Sequence, residues 1–148
     1  MALSKIPSAG FENNAKFKNI VINGDMSISQ RATSTSGIST TGNFVLDRWK
    51  LNVDSMGAWT ISKSSDVPTG QGFATSMKWD CTTADASPAA DDNIQLQQRF
   101  EGQNLQYLKK GTSSAESLTL SFWVRSTKTG TYCVRFVKGA GSGTRYEC

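Results

Sequence analysis

Apolar and polar side chains alternate one by one in several short runs of this sequence, and this period of two is the feature that most limits its fold. The clearest run lies within residues 117–136, where apolar positions alternate with polar ones: Leu118, Leu120, Phe122 and Val124 against Thr119, Ser121 and Arg125. Successive side chains of a β-strand point to opposite faces, so the run predicts a strand with one buried face. Trp123 is the exception, because a large aromatic ring occupies the polar side.

Similar runs recur along the chain between turn-forming residues such as Asn23-Gly24 and Pro68-Thr69-Gly70. They predict about eight short strands, among them runs within residues 44–53 and 93–105, and a hairpin whose turn is "TKTGT". The apolar fraction is only 37 %, which suits β-structure with long polar loops. No run has helical periodicity beyond a short helical turn expected before Gly111. The sequence therefore predicts an all-β protein, an antiparallel β-sandwich.

Two segments are expected to lie outside the sandwich core. Residues 32–43 are rich in Ser, Thr and Gly and predict a polar loop. Residues 1–17 contain Pro7, Gly10 and adjacent asparagines, which discourage regular structure. We expect an extended N-terminal arm there, either a frayed terminus or an attachment segment that becomes ordered in an assembly.

Residues 18–148 would then form one sandwich domain. The chain stops just after the predicted hairpin and one further short run, "TRYEC". A sandwich that ended there would leave one strand edge without a partner. We therefore expect either that the natural chain continues past Cys148 or that a neighbouring subunit covers the edge.

Charge and cysteine usage argue against several classes of function. The net charge is +4, but the basic residues are scattered and the longest basic run is Lys109-Lys110, so nucleic-acid binding is not expected. The three cysteines are far apart and there is no histidine, so a zinc site is not expected either. Free thiols and assembly in a reducing compartment are the expectation. No apolar run has the length of a signal peptide or a membrane span, so membrane insertion is not expected.

Three segments, which follow one another in this order along the chain, resemble a known family: "FKNIVINGDMSISQR", "LDRWKL" and "IQLQQRFEGQNLQYLKKGTSSAESLTLSFWVRSTKTGTYCVRF". Together they resemble a module of tail fibre and head fibre proteins of tailed bacteriophages, which is itself similar to the carbohydrate-binding jelly rolls of polysaccharide-degrading enzymes. The resemblance covers roughly residues 17–137. It implies a jelly-roll sandwich, contacts with other virion proteins, a homotrimer, and a place in a virion assembled in the bacterial cytoplasm.

The resemblance also implies a structural calcium ion, with Asp25 of the "NGD" phrase at the position from which related jelly rolls contribute a ligand. Asp91 and Asp92 would add further oxygen atoms, the ligands that Ca²⁺ prefers. The alternative, which we favour, is that Asp25 caps a turn through its own backbone and that the protein has no cofactor.

Catalysis is not expected from these residues. Without histidine there is no Ser-His-Asp or Cys-His arrangement. A glycosidase needs two facing carboxylates, and Asp47 and Glu101 are the acids predicted in or beside strands. We expect both to form ion pairs instead, Glu101 with Arg99 or Arg125 and Asp47 with a neighbouring loop.

Trp123 leads to a binding hypothesis. With Arg125 and with Gln97 and Arg99 on an adjoining strand, it would form a patch on which a sugar ring stacks. The alternatives are that a loop or the N-terminal arm covers Trp123, or that it is buried between subunits. The other three tryptophans, Trp49, Trp59 and Trp79, are expected in the core.

These observations lead to a function hypothesis. The chain is expected to be a tail or head fibre subunit, attached by its arm and presenting a jelly roll for assembly and host-surface contact. The alternative is a carbohydrate-binding module that recognises a host surface glycan without catalysis.

Overall fold

In the part of the chain that the structure describes, the fold is all-β, the paired strands are antiparallel, and there is one short helix. The computed structural model describes residues 19–137 and 145–147, so the arm predicted over residues 1–17 lies outside them. The elements are β1 (Ser34–Ile38), β2 (Lys50–Asp54), β3 (Ala58–Ser64), β4 (Ser76–Thr83), β5 (Asn93–Gln97), a 3₁₀ helix (Gly102–Leu108), β6 (Arg135–Val137) and β7 (Arg145–Glu147). The chain divides into two compact units at Ser117/Leu118.

The first unit contains two antiparallel sheets. One has the strand order β1-β3-β4, and the other is the pair β2-β5, in which Leu51 lies opposite Leu96 and Val53 opposite Ile94. The alternation predicted for these strands is confirmed, because Leu51, Val53 and Ile61 are buried while their polar neighbours are not.

Both sheets contribute to one apolar core. Six buried residues form it: Ile38, Val45, Leu46, Leu51, Val53 and Ile61. Trp49, Trp59 and Trp79 pack against this cluster, as predicted from the sequence. The core holds the two sheets together, because burial of apolar side chains is the main favourable term in folding.

Three sequence predictions in this unit are wrong. The alternating run over residues 93–105 is a strand only as far as Gln97, and a 3₁₀ helix begins at Gly102. The segment expected to be a polar loop contains β1, and Ile38 at its end is only 4 % exposed. Hydrogen bonding to β3 forms this strand despite its polar composition. Residues 44–53, expected to be one strand, turn at Asp47 and Arg48 before β2 begins, so that Val45 and Leu46 are both buried although they are adjacent.

The second unit departs most from the sequence prediction. Residues 118–134 are assigned to no strand, so the predicted hairpin across "TKTGT" is wrong. Instead β6 pairs with β7, which confirms the further strand expected in "TRYEC". Cys133, expected on a strand, is an exposed free thiol, as is Cys81 in the first unit. Cys148 lies outside the described residues.

Gly57 allows the tight connection between β2 and β3. Its φ is +72°, and a Cβ atom placed there would lie 2.0 Å from the carbonyl oxygen of Thr83. Gly70 has a similar φ of +75°, but no atom lies within 4 Å of the same hypothetical Cβ. An alanine at Gly70 would therefore meet backbone strain alone, whereas an alanine at Gly57 would meet both backbone strain and a steric clash.

We predict that Gly70→Ala lowers the free energy of unfolding by about 1 kcal/mol, the cost of a left-handed residue with a Cβ. Gly57→Ala should cost roughly 1–3 kcal/mol more, because the β3–β4 pairing must shift as in overpacked sites. Urea denaturation of the two variants checks this. Equal losses would contradict the close approach at Gly57.

Candidate functional site

The first unit has an open cleft of about 180 Å³ beside the turn that precedes β2. Three parts of the chain line it: the segment before the first turn, the turn at Arg48, and the end of β5 with the 3₁₀ helix. The lining residues are Asn19, Ile20, Ile22, Arg48, Phe100, Glu101, Asn104 and Tyr107. The cleft thus combines aromatic and aliphatic walls with amide, guanidinium and carboxylate groups.

Asn23 holds the first two of these parts together. Its side-chain amide donates to the carbonyl oxygens of Ile28 and Asp47, at 2.9 Å each, and its Oδ1 accepts from the N–H of Ile28 at 2.9 Å. The backbone carbonyl of Asn23 accepts a hydrogen bond from the indole of Trp49 at 2.9 Å. We call this set of bonds the Asn23 clip. It joins the "ING" phrase, which contains Asn23, to the "DRW" phrase, which contains Asp47 and Trp49.

Asp47 extends the clip to the following loop. Its Oδ2 accepts from the N–H of Gln30 at 3.0 Å, and its Oδ1 pairs with Arg31 at 3.1 Å. The predicted pairing of Asp47 with a neighbouring loop is confirmed. The Asp47 side chain is only 18 % exposed, so the carboxylate of this ion pair is better shielded from solvent than that of a typical surface pair.

Arg48 lies between the two residues that the clip holds. Its φ is +71°, in the left-handed region that is unfavourable for a residue with a long side chain. Strained residues persist only where the surroundings fix them, and they cluster at functional sites. Here Asn23 bonds the backbone carbonyl of Asp47 before Arg48 and the indole of Trp49 after it, and the exposed Arg48 side chain lines the cleft.

Gln98 joins the third part of the cleft to the first. Its side-chain amide accepts from the N–H of Ile22 at 2.9 Å and donates to the carbonyl of Ile22 at 2.7 Å. This pair of bonds imitates one step of a β-ladder. It places Ile22 next to the residues that follow β5, where Phe100 and Glu101 enter the cleft.

The 3₁₀ helix presents the last two lining residues on one face. Such a helix has three residues per turn, so Asn104 and Tyr107 lie above one another. Leu108 at its end is buried and anchors it. The preceding Glu101 has an extended backbone, and its Oε2 accepts a hydrogen bond from Gln103 at 3.0 Å.

The four residues of the predicted sugar patch lie in different units. Gln97 ends β5 and its amide donates to Gln95 at 3.0 Å, in a row of amide side chains along the outer face. Arg99 is exposed in the same unit. Trp123 and Arg125 belong to the second unit, where Trp123 is 63 % exposed. No described loop therefore covers Trp123, and the patch as a whole stays a prediction.

Asp25 is the residue at which the resemblance implies a calcium ligand. Among residues 19–137 and 145–147 no group of three or more Asp, Glu, Cys or His side chains could hold a metal ion. The backbone carbonyl of Asp25 accepts a hydrogen bond from Thr75 at 3.1 Å, and the carboxylate of Asp92 accepts from the N–H of Ala89. The calcium site with Asp25 as a ligand stays a prediction.

Comparisons with known protein families, curated proteins and solved structures gave no match. In the part of the chain that the structure describes, no helix has the length and apolarity needed to cross a membrane.

Sequence reasoning missed the cleft. The sequence pattern predicts strand positions for Phe100 and Arg48 and a short helical turn for Tyr107. None of these positions indicates a cleft. The available signal was the pair of phrases containing Asn23 and Asp47, since amide and carboxylate side chains beside tight turns often bond to backbone groups.

We predict that Asn23→Ala lowers the free energy of unfolding by about 3 kcal/mol, because three hydrogen bonds are lost and the carbonyl of Asp47 and the N–H of Ile28 lose their partner. The matched control is Asn43→Ala, at an exposed position, which should change it by less than about 0.5 kcal/mol. Chemical denaturation followed by tryptophan fluorescence measures both. Similar values for the two variants would show that the clip does not stabilise the fold.

Proposed function

We propose that this chain is a tail or head fibre subunit of a tailed-phage virion and that its β-domain contacts glycan at the host surface. The observation that carries the glycan contact is the cleft, with its aromatic walls and planar polar groups. The virion assignment is supported by the three phrases that resemble phage fibre modules.

The chemistry of the cleft suits a sugar ring. Phe100 is 40 % exposed, and Tyr107 beside it is half-buried. A flat aromatic face packs against the apolar face of a pyranose at a small cost in side-chain entropy. Asn19 and Asn104 each carry one acceptor and two donor hydrogens, which match the hydroxyl groups around the ring.

Binding without catalysis is the proposed mechanism. Of the described residues that line the cleft, Glu101 alone is a carboxylate, whereas most glycosidases use two. No cofactor or metal is part of the proposal. The alternative, a carbohydrate-binding module outside a virion, would use the same cleft.

The proposed architecture is a jelly roll with an attachment arm, built into a homotrimer. Two antiparallel sheets over one core fit a jelly roll. Exposed large apolar side chains are concentrated in the second unit: Leu118, Leu120, Phe122, Trp123, Val124, Tyr132, Phe136 and Val137. Apolar surface of this extent marks interaction sites. We assign it to contacts between copies, which would multiply weak glycan contacts through avidity.

We predict that Phe100→Ala abolishes retention of the protein on glycan-coated or host-cell surfaces, because the stacking face is lost. The matched control is Phe73→Ala, since Phe73 is 37 % exposed and lies outside the cleft. A glycan array with both variants and the parent protein makes the measurement. Equal retention of all three would contradict the cleft as the glycan site.

We predict a native mass of about three times the 16.0 kDa chain mass, because copies bury their second-unit apolar residues against each other. Native mass spectrometry of the purified chain measures it, with a denatured run as control. The double variant Phe122→Ser, Val124→Ser should shift the mass to the monomer. A monomeric parent protein would contradict self-assembly.

A further inference from the structure

We infer that the cleft selects one uncharged sugar unit over acidic and amino sugars; this rests on the proposed glycan contact and names its ligand class. The first observation is size. At about 180 Å³ the cleft is smaller than the roughly 300–1,000 Å³ of pockets that enclose drug-sized ligands. One pyranose ring is the matching unit, with the rest of a chain in solvent.

The second observation is charge. Arg48 and Glu101 both line the cleft and carry opposite charges. An acidic sugar would be attracted to Arg48 but repelled by Glu101, and an amino sugar would meet the reverse. Specificity of this kind arises from a repulsive contact against the wrong ligand. The attraction and the repulsion therefore oppose each other, so a charged ligand gives up hydration on entering the cleft without a matching gain from charge pairing.

The third observation is that the two charges remain available to a ligand. Within the part of the chain that the structure describes, ion pairs join Arg31 to Asp47, Lys78 to Asp80 and Lys109 to Glu116, among others, but Arg48 and Glu101 do not pair with each other. A guanidinium group only donates hydrogen bonds and a carboxylate only accepts them. Hydroxyl groups do both, so an uncharged sugar can use Arg48 and Glu101 together.

The backbone of Arg48 adds to this argument. Its left-handed φ of +71° sets the direction of the side chain, and the Asn23 clip holds the neighbours that impose it. Glu101 sits at the start of the 3₁₀ helix, where the Gln103 amide binds one of its two carboxylate oxygens. Both charged groups thus come from backbone or side-chain positions that other bonds hold in place, which charge selection requires.

The test is a titration of the purified full chain, by calorimetry or NMR, with the methyl glycosides of glucose, galactose and mannose. The uronic acid and the 2-amino sugar of each series are titrated beside them. We expect the best neutral glycoside to bind at least about fivefold more tightly than its two charged relatives. Glu101→Gln should raise the affinity for the uronic acid to that of the neutral sugar or above.

Two variants serve as controls for the role of charge. Arg48→Gln should raise the affinity for the amino sugar in the same way. Glu116→Gln removes an exposed carboxylate outside the cleft and should leave all three affinities and their ratios unchanged. Circular dichroism confirms that each variant is folded.

The outcomes separate the inference from the function on which it rests. If the parent protein binds the uronic acid or the amino sugar as tightly as the neutral sugar, the inference is overturned and the glycan contact stands. The same holds if Glu101→Gln changes all affinities by one factor. If no sugar in any series binds and Phe100→Ala behaves as the parent does, the proposed glycan contact itself is overturned.

Discussion

The Asn23 clip is the interaction on which the arrangement of the first unit depends. A polar side chain at a tight turn satisfies carbonyl groups of two distant segments and fixes the indole that packs against the core. Neither segment belongs to a strand at these points, and the N–H of Asp47 also donates to the carbonyl oxygen of Ile28 at 3.1 Å. The Asn23 amide and this backbone bond together hold the chain where it turns into β2.

The same solution recurs elsewhere in the unit. Gln98 bonds both backbone groups of Ile22, and the outer face of the β2–β5 pair has amide side chains bonded in a row through Asn52, Asn93 and Gln95. This is consistent with a composition low in apolar residues, since hydrogen bonds of amide side chains add to the backbone bonds that pair the strands. The apolar residues are then needed only for a small core between the sheets.

The clip also links stability to the candidate site. Asn23 bonds Asp47 and Trp49 on either side of Arg48, whose backbone is strained, and the Gln98 bonds bring Phe100 and Glu101 to the same cleft. Surrounding structure that compensates for local strain is characteristic of binding sites. The second unit differs, because most of the large apolar side chains described within residues 118–137 are exposed.

The alternation of apolar and polar residues was enough to predict the all-β class and the inward faces of β2, β3 and β5, because it records which side of a strand faces away from water. It could not reveal β1, whose polar residues become a strand only through hydrogen bonds to β3. For the same reason, alternation in residues 118–125 did not guarantee a strand, since a strand also needs a partner edge. The tertiary structure alone decided the cleft. Its lining comes from segments far apart in sequence, joined by side-chain bonds to backbone groups that no local pattern encodes.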